Sequence, residues 1–154
     1  MPGLKYILIV LAVIIIIFVI FYINFKQKQK IKSETIDILN TYGKTIIKDK
    51  SLLFEINHNL YEILFYKIAE KHELTINSKL IWEVHTKTGS QLINQKSFLT
   101  SDYPKIIILY PIATKIKRFI NENEMVFIDF RDSFFDMRLI KLADLKLALS
   151  EVEL

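Results

Sequence analysis

Residues 105–110 read KIIILY, an apolar run without turn residues that predicts a strand buried on both faces. Residues 125–130, MVFIDF, form a second run of this kind, and its MVFI portion also suits a strand buried on both faces. Between the two runs, Thr114 can cap a helix with Ile116, Phe119 and Ile120 on one face. This order of strand, helix and strand predicts a right-handed crossover and parallel pairing.

The same alternation extends to both sides of this centre. Residues 74–76 and 79–85 are strand-like, and Ser90 can cap a helix over residues 91–99. Residues 137–142 predict a last strand, and ADLKLALSEV after them a last helix. The predicted fold class is α/β, a small three-layer domain with a mostly parallel sheet.

The segment before this core is less regular. Residues 44–56 predict two short strands around Asp49-Lys50, although a helix is the alternative because the turn lacks glycine. Asn59 and Glu62 have the spacing of a capping box. With the apolar residues that follow, they predict a helix that continues to about His72.

An unbroken apolar stretch, YILIVLAVIIIIFVIFYI, occupies residues 6–23. As a helix it is about 27 Å long, which matches the hydrocarbon thickness of a bilayer. The competing interpretation, a cleaved signal peptide, usually has a shorter apolar region and a small-residue cleavage site, which Ile23-Asn24-Phe25-Lys26 does not offer. We therefore expect a retained signal-anchor helix at residues 6–25, which continues as a basic juxtamembrane helix over residues 26–43.

Lysines predict the orientation of this anchor. Lys5 precedes the apolar stretch, whereas four lysines follow it, Lys26, Lys28, Lys30 and Lys32. Positive flanks stay on the cytoplasmic side, so we expect residues 1–5 outside, and residues 44–154 as a cytoplasmic domain at the cell membrane. The four lysines either act only as this topology signal or also bind anionic lipid headgroups at the membrane surface.

Charge and cysteine content narrow the classes of partner. The chain carries a formal net charge of +4, but Lys5 and the four juxtamembrane lysines account for five of its 21 basic residues. The remaining 16 basic residues stand against 17 acidic residues, so the domain is nearly neutral. This near-neutral charge argues against nucleic acid as a partner. The chain has no cysteine, which excludes thiolate chemistry and disulfides.

Polar residues mark one candidate site. The two-residue period of a strand places Ile81, Glu83, His85 and Lys87 on one face, and Asp129 and Asp132 follow a later strand. In parallel sheets, ligands bind beyond the carboxyl ends of the strands. Glu83, Asp129 and Asp132 could hold Mg²⁺ or Mn²⁺, with His85 or Lys87 orienting a water molecule.

A structural interpretation of the same residues needs no cofactor. Glu83 and Lys87 can form an ion pair on a half-exposed strand, and His85 can be a surface residue. Asp129 can pair with Arg131 or cap a helix. Both interpretations of these residues are open from the sequence.

Residues 60–130 resemble the restriction-endonuclease-like PD-(D/E)xK nucleases in the order of their predicted elements. This order is a helix with Glu62, two strands of which the second ends at Glu83-Val84-His85, a helix with Gln91 and a further strand. This resemblance implies an acidic residue and an acid-x-lysine motif that bind a divalent metal for phosphodiester hydrolysis. His85 stands where the family has lysine, Lys87 follows two residues later, and no Pro-Asp pair precedes the strand. The resemblance thus implies an inactive or structural relative rather than a working nuclease.

The sequence contains no glycine-rich phosphate loop and no GxSxG or HExxH motif. We therefore expect a single-pass, membrane-anchored module that binds a protein partner or organises an assembly, with the bilayer as its other partner. The alternative is a membrane-tethered, metal-dependent nuclease-like or other hydrolase that uses Glu83, Asp129 and Lys87.

Overall fold

A computed structural model of the chain describes residues 2–111, 115–121 and 123–151. Thr114, the predicted helix cap, lies outside the described residues. The chain divides into two compact units, Met1–Asp37 and Ile38–Leu154.

Helix α1 spans Pro2–Tyr42 and joins the predicted anchor and juxtamembrane helices without a break. Within the described residues it is the one helix long and apolar enough to cross a membrane. Gly43 follows, and its N–H donates to the Leu39 carbonyl at 2.9 Å. A Cβ atom at Gly43 would collide with the carbonyl oxygen of Glu55, so only glycine fits where the helix ends.

The described residues after α1 form ten strands and a short helix. The strands are β1 (Lys44–Lys48), β2 (Ser51–Ile56), β3 (Asn59–Ile68), β4 (Glu73–Ile76), β5 (Ile81–Thr86), β6 (Gly89–Asn94), β7 (Lys105–Pro111), β8 (Lys115–Asn121), β9 (Glu124–Phe127) and β10 (Met137–Lys141). The helix is α2 (Leu145–Glu151), as predicted near the end of the chain.

The strands form two five-stranded sheets of mixed direction. The first sheet has the order β1-β2-β3-β7-β10, and the second has the order β6-β5-β4-β8-β9. Parallel pairing occurs between β3 and β7, β7 and β10, and β4 and β8, whereas the other strand pairs are antiparallel. The prediction of an α/β domain holds, but the prediction of a mostly parallel sheet is wrong.

The structure replaces three predicted helices by strands. Residues 59–68 form β3, and residues 89–94 form β6, with a single 3-10 turn at Lys96–Leu99. Residues 115–121 form β8. The described residues therefore lack the helices expected in the crossovers around β7, and hairpins supply most of the connections between strands.

The two predicted strands at residues 44–56 are confirmed. Asp49 and Lys50 form the turn between β1 and β2 with φ of 47° and 71°, and Asn57 and His58 form the next turn with φ of 50° and 66°. Two successive left-handed residues are typical of a two-residue hairpin turn, which here forms without glycine.

The core lies between the two sheets. Ile107 and Leu109 from the first sheet meet Leu74 and Trp82 from the second in one buried cluster. The other face of β7 is also buried, because Ile106 and Ile108 are fully inaccessible. The prediction that residues 105–110 form a strand buried on both faces is confirmed.

Candidate functional site

The four juxtamembrane lysines, here called the lysine ring (Lys26, Lys28, Lys30, Lys32), are exposed on α1. Each residue advances a helix by about 100°, so Lys26 and Lys30 lie about 40° apart, and the other two occupy the opposite side. The charge therefore surrounds the helix axis and does not form one stripe. This arrangement suits a helix that passes through a charged layer better than one that lies flat on it.

Lys30 and Lys26 of the lysine ring make local contacts. The Lys30 Nζ lies 3.7 Å from the Glu34 Oε1, an exposed pair one helical turn apart. The Lys26 Nζ lies 5.7 Å from the centre of the Tyr22 ring. Exposed pairs of this kind contribute little to stability, so the lysines are accessible to an anionic surface.

The second sheet presents one face away from the core, here called the outer face. Cross-strand partners share a face of a sheet. Thr75 pairs with both Glu83 and Lys117, and Glu73 pairs with both His85 and Lys115. Leu74, between Glu73 and Thr75, points to the opposite side and is fully buried in the core. The outer face therefore carries Glu83 and His85, as the strand period predicted.

Charged groups at the centre of the outer face are close to one another. The His85 Nε2 lies 3.0 Å from the Thr75 hydroxyl and 3.6 Å from the Glu83 carboxylate. Glu73 forms an ion pair with Lys117 and lies 3.8 Å from the Lys115 Nζ. Positive and negative groups therefore alternate across this centre.

The pKa of Glu73 lies below its usual value. A hydrogen bond from Lys117 is the main cause, and the charges of Lys117, Lys115 and His85 act in the same direction. Together these effects outweigh desolvation by burial, which would raise this pKa. Glu73 is thus an ionised partner of the lysines at neutral pH and is not suited to act as a general acid there.

The other predicted site residues lie elsewhere. Lys87 is in the turn between β5 and β6. Asp129 and Asp132 form a turn after β9, in which the Asp129 N–H donates to the Asp132 Oδ2 at 2.7 Å. The Asp129 Oδ1 accepts from the Arg131 N–H at 3.2 Å and lies 3.5 Å from its guanidinium. This is the arrangement that the structural interpretation of Asp129 expects.

No group of three or more His, Cys, Asp or Glu side chains that could hold a metal ion occurs among the described residues. Glu83, Asp129 and Asp132 are therefore not gathered into one set of ligands. Asp129, Lys141 and Asp144 are among the residues that line a cavity of about 230 Å³, which is below the usual size of a small-molecule site. The metal hypothesis stays a prediction.

Large apolar side chains surround the charged centre of the outer face. The register places Leu92 beside Glu83, Phe127 beside Lys117, and Met125 beside Phe119. Ile81 shares this face because it lies two residues from Glu83. Leu92 is 71% exposed, and Ile81, Phe119, Met125 and Phe127 are also exposed. Exposed apolar side chains on both sides of a polar centre are a feature of interaction surfaces.

Strand β9 corrects a prediction about the MVFI run. Residues 125–127 were predicted to lie in a strand buried on both faces, but β9 is an edge strand whose four residues are all exposed. Ile128, the next residue, is buried. Apolar composition alone does not distinguish a central strand from an exposed edge, so the sequence gives no signal of this surface.

A second polar cluster, which sequence analysis does not identify, is buried at the start of β7. The Glu62 carboxylate accepts from the Ser51 hydroxyl at 2.6 Å and from the Ser101 hydroxyl at 2.8 Å. The Lys105 ammonium lies 3.0 Å from Glu62 and donates to the carbonyls of Ser101 and Tyr103. Each charge is thus fully partnered within the protein, which indicates a structural role.

No protein-family model, curated protein or solved structure matches this chain. The nuclease resemblance places Glu62 and Gln91 on helices, whereas in the structure both residues lie on strands. The resemblance itself is untested by these comparisons and stays a prediction.

Proposed function

We propose that the chain is a single-pass protein of the cell membrane whose cytoplasmic α/β domain binds a protein partner through the outer face. The observation that carries this proposal is the set of exposed apolar side chains on that face, Ile81, Leu92, Phe119, Met125 and Phe127. Exposing such side chains together to water is unfavourable, and covering them provides the free energy of association. The alternating charges at the centre supply specificity for a partner of complementary pattern.

The lysine ring supports the membrane part of the proposal. Lysines that surround the helix directly after an apolar stretch keep that end of the helix on the cytoplasmic side. Each of them can also contribute about 1 kcal/mol of attraction to an anionic leaflet. Protease digestion of sealed vesicles of known orientation tests this topology. If the domain is protected in vesicles whose cytoplasmic side faces the protease, the topology is wrong.

Site-specific photo-crosslinking in intact membranes tests the binding surface. A photoreactive residue at Leu92 probes the outer face, and one at Ile47 on β1 of the first sheet is the matched control, because both side chains are 71% exposed. We expect a protein adduct of defined mass at position 92 and none at position 47. A photoreactive residue at Phe119 probes a second point of the outer face. Equal labelling at positions 92 and 47, or the absence of an adduct at both positions 92 and 119, contradicts the proposal.

A further inference from the structure

Among the described residues, no strand pairs with the outer edge of β9. The Ile128 N–H donates to the Ile116 carbonyl at 2.9 Å, so Ile128 points its backbone groups towards β8. Because this direction alternates along an antiparallel strand, the N–H and C=O groups of Met125 and Phe127 point away from β8. This edge is therefore a template for one more strand.

The other three edge strands carry features that discourage pairing. β1 begins and ends with the exposed residues Lys44 and Lys48, and β10 contains Arg138 and Lys141. β6 is GSQLIN, in which the two apolar residues, Leu92 and Ile93, lie between the polar residues Gln91 and Asn94. Charged or polar edge residues are the usual protection against unwanted strand addition. By contrast, β9 has three successive exposed apolar residues after Glu124.

The geometry points to a second copy of this chain as the occupant: we propose that β9 pairs in antiparallel fashion with β9 of another copy, which joins two second sheets into one. This inference rests on the proposed function, because it names a partner at the β9 border of the outer face. A symmetric pair that uses the free groups of Met125 and Phe127 has its two-fold axis at Val126. On the outer face, Met125 of each copy then lies beside Phe127 of the other.

This register is chemically self-complementary. Methionine sulfur packs favourably against an aromatic ring, and both such contacts form at once in the symmetric pair. Glu124 falls opposite Ile128 of the second copy, so no like charges face each other directly. Copies anchored by α1 in one membrane also share a surface, which raises their effective concentration.

A cysteine at the two-fold axis tests the proposal in the membrane-anchored chain, whose 154 residues include no cysteine. In the proposed register Val126 faces its counterpart in a non-hydrogen-bonded pair, with Cα atoms about 4.5 Å apart, within the range for a disulfide. The matched control is Leu92→Cys, an exposed residue on the opposite edge strand of the same sheet. In vesicles under mild oxidation we expect V126C to give at least about tenfold more disulfide-linked dimer than L92C.

A second variant separates strand pairing from simple collision. Met125→Pro removes the outward N–H but no hydrogen bond to β8, so the hairpin can be kept while pairing with another copy is lost. We expect Met125→Pro, introduced together with Val126→Cys, to abolish the disulfide crosslink. The circular dichroism and thermal unfolding of this double variant should match those of Val126→Cys alone. Equal dimer yields from V126C and L92C, or crosslinking that persists in a folded M125P background, overturn the proposal. If position 92 still forms adducts with another protein in that case, the proposed function stands without self-pairing.

Discussion

The Glu62 carboxylate and the Lys105 ammonium lie 3.0 Å apart with only 3% and 2% of their side chains exposed. The two residues are direct partners in the parallel register of β3 and β7. The ion pair therefore fixes the relative position of the strands that bring the first sheet together. A buried pair of this kind is costly to break, because the remaining charge has no water to solvate it.

Glu62→Gln should lower the free energy of unfolding by about 3 kcal/mol, since it leaves the Lys105 charge buried without its partner. Glu62→Gln combined with Lys105→Met should restore at least half of this loss, because it removes the unpaired charge. Denaturant unfolding monitored by fluorescence measures both values, and Trp82 is a suitable probe, since it is the single tryptophan and is 1% exposed. Lys105→Met alone is the second single variant. If the double variant loses as much unfolding free energy as the two single variants added together, this account is wrong.

Stability should also depend on the ionisation of Glu62. Burial alone would raise the pKa of Glu62, but hydrogen bonds from Ser51, Ser101 and Lys105, with the charge of Lys105, hold it below 4.5. A lowered pKa in the folded state means that the contribution of Glu62 is complete above pH 4.5 and is lost as the pH falls through the folded pKa. Unfolding measured from pH 6 downwards should therefore show a smaller acid-induced loss for Glu62→Gln than for the unaltered chain. Glu55→Gln, at an exposed position of β2, is the control and should leave the loss in place.

The turn between β1 and β2 offers a stabilising substitution. Lys50 has a φ of 71°, a conformation that a side chain disfavours and glycine tolerates. Lys50→Gly should therefore raise the free energy of unfolding by about 1 kcal/mol. The matched control, Lys48→Gly within β1, should lower it by roughly 0.5 to 1 kcal/mol, because glycine weakens a strand. The idea fails if both substitutions change stability in the same direction.

The lysine ring gives a prediction about orientation. Replacing all four lysines by glutamine and adding lysines next to Lys5 should invert the helix in the membrane, because the excess of positive charge then lies at the N-terminal end. Accessibility of the domain to protease in sealed vesicles measures the change.

Replacing two of the four lysines at a time distinguishes charge that surrounds α1 from charge along one side of it. Because Lys26 and Lys30 lie on the opposite side of α1 from Lys28 and Lys32, replacing either pair by glutamine should weaken binding to anionic vesicles equally. A loss confined to one pair indicates a helix that lies along the surface with one charged side.

The sequence predicts strands more reliably here than helices, for a physical reason. Leu60, Ile63, Leu64 and Ile68 have the spacing of one helix face, but β3 lies inside a sheet, and residues on both of its faces are buried or half-buried. A strand with two covered faces does not show simple alternation, so its apolar residues can mimic helical spacing. Glu62, which also fits a capping box, instead pairs with Lys105, a distant residue that local pattern cannot reveal.

The candidate site was predictable in part. The alternation of Ile81, Glu83 and His85 with buried residues identified one face of β5, and the register confirms it. The proposed interaction surface also depends on Lys117, Phe119 and Phe127, which other strands supply. Pairing between strands far apart in the chain decides this, and a periodic pattern within one segment contains no information about it.

Completion of the first sheet requires β10, which ends at Lys141, whereas α1 ends at Tyr42. At ordinary rates of synthesis, the ribosome needs roughly 5 to 20 s to add the residues between these points. In the proposed topology α1 can enter the bilayer during that interval, while β7 still lacks β10, the second of its two parallel neighbours. Under the proposed topology, delivery to the membrane precedes completion of the first sheet, so the domain finishes folding beside the bilayer.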